Sequence, residues 1–149
     1  MEWTQLTRKI LELAETVHRW LTALSGLEPE RKNRIAGYAE KIADTLARAA
    51  DALSAAENQR KSGKSALKHR RTAIRELGRI NGYVATIVTV LDGQLDGRRL
   101  AGVKKRLETL DSGALDAPYA GSSKARRLRI EKLYAAEGYF RALADGLRV

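Results

Sequence analysis

The sequence predicts an all-α protein, an antiparallel helical bundle of four long helices plus one short helix, forming a single domain over residues 1–149. Three observations carry this expectation. Alanine and leucine dominate an apolar fraction of 44 %, with aromatics at only 5 %, which suits close helix packing better than a β-sandwich or barrel. Apolar residues recur at steps of three and four along most of the chain. Both prolines, Pro29 and Pro118, fall where that pattern pauses.

The first element is expected before Gly26. Trp3, Leu6, Ile10, Leu13, Val17, Trp20 and Leu24 form a heptad seam. Leu11, Ala14 and Leu21 widen it into a bundle face, and the two tryptophans read as core residues. A second helix follows from about Pro29 to Asn58, opened by proline and two acids at the positive end of its dipole. Ile35, Ala39, Ile42, Leu46, Ala49, Leu53 and Ala56 mark its core face.

The third segment, about Lys64 to Asp92, contains "YVATIVTV", whose β-branched residues after Asn81-Gly82 are compatible with a strand. Ile74, Leu77, Ile80, Val84, Ile87 and Leu91 nevertheless continue one helical face, and a lone strand has no partner. The expectation is a long helix, kinked or broken near Gly82. A short helix from about Arg98 to Leu110 carries Leu100, Val103, Leu107 and Leu110; after the loop "DSGALDAPYAGSS", a last helix from about Ser123 to Leu147 carries Ile130, Leu133, Ala136, Phe140, Leu143 and Leu147.

Several kinds of chemistry are not supported. With no cysteine, disulfides and thiolate ligands are excluded. The N-terminus lacks the continuous apolar core of a signal peptide, and no run approaches the roughly 20 apolar residues of a membrane span. A cytoplasmic location is expected. Glu15 and His18 have the spacing of a di-iron ligand pair, but the other histidine, His69, follows Ala66 rather than a carboxylate at that spacing. Glu40, Asp44 and Asp51 share a side of one helix, with Arg48 and Lys41 close enough to neutralise them. Neither a catalytic group nor a metal or cofactor site is assigned, and the chain is read as a non-enzyme.

"QRKSGKSALKHRR", residues 59–71, ends its Gly63-Lys64-Ser65 triplet as a phosphate-binding P-loop does. That loop needs a glycine where Asn58 stands, and a strand before it where this chain has an alanine-rich helical run. The expectation is instead a turn between helices, with Gly63 as its flexible residue and Ser62 or Ser65 capping the next helix.

Charge gives the functional lead. Residues 1–59 carry eight Lys/Arg against nine Asp/Glu, a net −1; residues 60–149 carry twenty against nine, a net +11. Lys64, Lys68, Arg71, Arg75 and Arg79 step by four, three, four and four, an arc of roughly 80° on a helix. Arg60 and Lys61 extend this stripe, and among residues 60–79 only Glu76 is acidic. Two further clusters are Arg98, Arg99, Lys104, Lys105 and Arg106, and Lys124, Arg126, Arg127 and Arg129. If the loops near residues 60, 98 and 124 gather at one bundle end, these cations form one patch able to follow a phosphate backbone. Tyr119, before the last cluster, is placed to stack on a base or to fold over the bundle end.

The expected function is therefore nucleic-acid binding through the phosphate backbone, with weak sequence specificity because no base-reading motif is present. In size, helicity and basicity the chain is similar to the small helical subunits of CRISPR effector complexes. That similarity is architectural and implies a backbone-binding accessory subunit. The alternative is an adaptor or regulatory bundle that binds another protein, as phage and conflict-system proteins do; it requires an exposed apolar seam, whereas a backbone binder requires converging basic loops. The sequence leaves the oligomeric state open.

Overall fold

A computed structural model describes residues 28–91 and 122–148. Among them the protein is all-helical, with three helices: α1 (Pro29–Lys61), α2 (Leu67–Leu91) and α3 (Ser123–Leu147). The elements expected before Gly26 and between Arg98 and Leu110 lie outside the described residues, as do both tryptophans, His18 and Tyr119.

The central element is α1, against which both other helices pack. Ile35, Ala36, Ala39, Ile42, Ala43, Leu46, Ala49 and Ala50 are fully buried in it. The expected seam is thus present and doubled by the neighbouring alanines, which keep the helix slim enough for close approach on more than one side. Its start follows the sequence logic: Pro29 stands in the first turn with Glu30, although the side chain of Glu28 makes no capping bond.

The end of α1 is a complete Schellman motif. Gly63 takes φ +71°; its N–H donates to the Arg60 carbonyl at 3.1 Å, and the Lys64 N–H donates to the Gln59 carbonyl at 2.9 Å. Ser62 belongs to this motif, donating its N–H to the Asn58 carbonyl. Ser65 is the serine that serves the next helix, its Oγ accepting from the Leu67 N–H at 3.4 Å. Accordingly α2 begins at Leu67 rather than near Lys64, and α1 runs on to Lys61 rather than stopping near Asn58.

The β-branched stretch is helical, and α2 continues through Gly82 without interruption. Burial outweighs propensity here, since Leu77, Ile80, Ile87 and Val90 share one buried face. The threonines also find partners within the helix: Thr86 and Thr89 donate to the carbonyls of Gly82 and Ala85, at 2.9 and 3.1 Å. At its start, Ala73 rather than Ile74 is the buried residue, and Ile74 is only partly covered. The side chains of Val84 and Leu91 lie outside those described.

Capping of α3 uses Ser122, whose Oγ accepts from the Ala125 N–H at 3.2 Å. Ile130, Leu133, Ala136, Phe140 and Leu143 are buried as expected, joined by Ala144, while Leu147 is partly buried.

Cross-helix pairs establish direction. Glu57, Asp51, Asp44 and Glu40 of α1 meet Arg126, Tyr134, Arg141 and Arg148 of α3, in descending against ascending order. Arg48 and Tyr38 likewise meet Glu76 and Tyr83 of α2. Both flanking helices therefore run antiparallel to α1. Their N-termini lie at the end of the bundle where α1 terminates.

Candidate nucleic-acid interface

This topology brings the described basic segments together. Arg60 and Lys61 occupy the last turn of α1, Lys64 lies in the following turn, Lys68, Arg71 and Arg75 follow on α2, and Lys124 and Arg127 start α3. All eight are exposed. Lys64 thus belongs to the turn, and the helical stripe begins at Lys68. The remaining expected cluster, Arg98, Arg99, Lys104, Lys105 and Arg106, lies outside the described residues.

Two acids of this end, Glu57 and Glu76, are buried, while Glu131 on α3 is exposed. Glu57 is 7 % exposed and bonded to the Arg126 guanidinium, whose own side chain is 13 % exposed. Arg126 thus joins two helices as an internal counter-ion. Glu76, 9 % exposed, accepts from Arg48 Nε at 3.0 Å and lies 3.5 Å from Arg79. Arg79, the last residue of the stripe, is therefore engaged by the protein itself, and Arg129 is partly buried. Among the described residues, those exposed around the turn are mainly cations, the arrangement that raises local potential for a polyanion.

The Gly63-Lys64-Ser65 triplet has no phosphate-binding loop geometry. A P-loop turns consecutive N–H groups inward to a bound phosphate. Here the N–H groups of Ser62, Gly63 and Lys64 are already donated to the carbonyls of α1. The lysines and arginines remain available; the backbone at this turn does not.

Away from this end, charges are paired across the α1–α3 seam. Arg141 Nη2 lies 2.9 Å from both Asp44 and Glu137, and Arg148 bonds Glu40. The bond from Arg148 holds the Glu40 carboxyl below its ordinary range, while Glu40 in turn raises the guanidinium pKa of Arg148. Asp44, with Glu137, does the same for Arg141. The Tyr134 phenol is pushed up by its hydrogen bond to Asp51, which strengthens its hold on the proton. Glu40 and Asp44 are thus neutralised by arginines of α3, and Asp51 accepts from the neutral Tyr134 hydroxyl, rather than all three being served by Lys41 and Arg48 as the helix spacing suggests. Lys41 Nζ instead stands 5.1 Å from the Tyr38 ring centre and 5.9 Å from that of Tyr83.

Sequence reasoning overlooked one part of the surface. Lys124, Arg127, Leu128 and Glu131 share one exposed face of α3. Leu128 and Glu131 had no signal beyond their i, i+3, i+4, i+7 spacing with the two cations. Among the described residues, no group of three or more His, Cys, Asp or Glu is placed to hold a metal ion, and no helix is long and apolar enough to cross a membrane.

Fold and site together define a class, a helical bundle with a basic end. Comparison with protein-family models, curated proteins and solved structures finds no match to the chain.

Proposed function

We propose that this protein is a non-enzymatic, cytoplasmic nucleic-acid-binding bundle that grips the phosphate backbone with its basic end, as an accessory subunit of a nucleoprotein assembly. One observation carries the reading: cations from α1, the turn and the starts of α2 and α3 share one end, while Glu57 and Glu76 are turned inward. Lys68 to Arg75 span about 10 Å along the axis, about three phosphates of one strand. Such contacts supply affinity and orientation without reading bases.

The adaptor alternative has less support. It calls for a continuous exposed apolar seam, whereas the large apolar side chains exposed among the described residues are Leu67 on α2 and Leu128 and Tyr134 on α3. Tyr134 is also tied to Asp51. Single exposed apolar residues are ordinary on a protein surface.

Fluorescence polarisation of labelled single- and double-stranded DNA and RNA, titrated at several salt concentrations, tests the proposal. About five phosphate contacts give a log–log salt slope of roughly −3.5 on single strands and −4.5 on duplex. Absence of binding at low salt would remove nucleic acid from consideration and direct the search to protein partners.

A further inference from the structure

Resting on the nucleic-acid reading, the directions in which the exposed cations face indicate which form of nucleic acid the basic end takes. α2 and α3 lie on different sides of α1. The α1 positions that meet α2, Tyr38 and Arg48, and those that meet α3, Glu40, Asp44 and Asp51, are centred about 100° apart round the helix. Each flanking helix then turns its cations away from its own buried face. On α2, Lys68, Arg71 and Arg75 lie about 180° from the mean direction of the buried Ala73, Leu77 and Ile80. On α3, Lys124 and Arg127 lie about 150° and 90° from that of Ile130 and Leu133.

The two groups therefore face apart, and the end of α1 stands between them, with Arg60 and Lys61 in its last turn and Lys64 in the turn that follows. Together these cations cover a convex surface. Neighbouring helix axes are about 8–10 Å apart, so the change of direction falls within a few base pairs' length. A duplex is stiff over about 150 base pairs; it can lie along one group, and the other is then out of its reach. A single strand is tracked through its flexible backbone and can turn over the end to meet both. The α3 cations are free to take part: Arg127 donates from Nη2 to Ser123 Oγ at 3.2 Å, a bond that leaves its charge in place. Glu131, exposed one turn beyond Arg127, marks where the track stops on α3, because a carboxylate repels phosphate.

We infer that one single strand wraps the basic end, from the outward face of α2, over the turn at Lys61 and Lys64, to Lys124 and Arg127. The protein is accordingly a single-strand binder, selective by the shape of its charged surface rather than by base. A duplex engages α2 and the turn alone.

The test is fluorescence polarisation over a salt series with labelled oligo(dT) and a duplex of equal phosphate number. The proteins compared are the parent, Lys68→Gln/Arg71→Gln/Arg75→Gln on α2, Lys124→Gln/Arg127→Gln on α3, and the charge-retaining Lys124→Arg/Arg127→Lys, each checked for helicity by circular dichroism. The parent should bind oligo(dT) more tightly than the duplex at low salt. The glutamine variant on α3 should lower the log–log slope on oligo(dT) by about 1.4, two contacts at about 0.7 each, and leave the duplex slope unchanged, while the charge-retaining variant keeps both slopes. The α2 variant should lower both slopes. Tighter duplex binding, an α3 effect equal on both ligands, or an α3 effect on neither overturns the wrapped path while leaving backbone binding intact. No binding to either ligand overturns the nucleic-acid reading as well.

Discussion

The arginines of the α1–α3 seam and the cations of the bundle end are the same kinds of residue in opposite settings. On the seam, Arg141 is held between Asp44 and Glu137, and Arg148 by Glu40. At the end, Lys64, Lys68, Arg71 and Arg75 are exposed, while Glu57 of α1 and Glu76 of α2 are buried and bonded to Arg126 and Arg48. The difference teaches that a net charge of +10 is less informative than where its acids are spent. Acids used inside the bundle cannot temper the surface above them.

The comparison can be strained by moving residues between the two settings. The largest effect on stability is expected from Glu57→Ala, which removes one carboxylate bond to the Arg126 guanidinium in a place where both side chains are nearly covered. Breaking such a pair costs about 3 kcal/mol, seen as a lower denaturation midpoint. If stability is unchanged and nucleic-acid affinity rises, Arg126 belongs with the surface cations instead.

Arg141→Glu comes next. It sets a third acid beside Asp44 and Glu137, and because the site is exposed the cost is about 1 kcal/mol. Oligonucleotide affinity should change far less than on reversal of a cation at the basic end. Gly63→Ala is expected to cost a similar amount, about 1 kcal/mol, because φ +71° suits glycine and disfavours any side chain. Chemical denaturation measures both variants.

The smallest effect concerns Tyr134. Its phenol pKa is raised above the ordinary 10.0 by the bond to Asp51, so the folded protein holds that proton more tightly than the unfolded chain does. The associated stability is fully present below pH 10 and is lost as pH rises through the folded-state value. Tyr134→Phe should cost only about 0.5 kcal/mol at neutral pH, and should flatten the decline in denaturation midpoint above pH 10. An unchanged alkaline decline would show that other groups cause it.

Much of the core was legible because burial follows the helical period. Ile35, Ala39, Ile42, Leu46, Ala49, Leu53 and Ala56 are all buried as their spacing implies. The period also favoured helix over strand for "YVATIVTV" without deciding between them, and the segment is helical. Boundaries were less legible. The α1 terminus depends on carbonyl bonds to Gly63 and Lys64, and the start of α2 on Ser65, so neither is marked by a change of apolar pattern.

The site divides in the same way. Local spacing marks the exposed positions Lys68, Arg71 and Arg75, but Arg126 looks like any other cation of its cluster. Its partner is Glu57, 69 residues away, and Arg141 and Asp44 are 97 apart. Pairings across such separations depend on helix direction, which no local pattern encodes. The gathering of basic segments has the same origin, two helices antiparallel to one.

The most direct test of the basic end compares salt dependence of oligonucleotide binding in the parent, in Lys64→Glu/Lys68→Glu/Arg71→Glu/Arg75→Glu, and in a seam control, Arg141→Glu/Arg148→Glu. Each phosphate contact removed should reduce the log–log slope by about one, so the basic-end variant should lose nearly all binding on every strand type with its helicity unchanged. The seam control should keep the parent's slope even where its stability falls. Equal slopes in the parent and the basic-end variant would contradict the account.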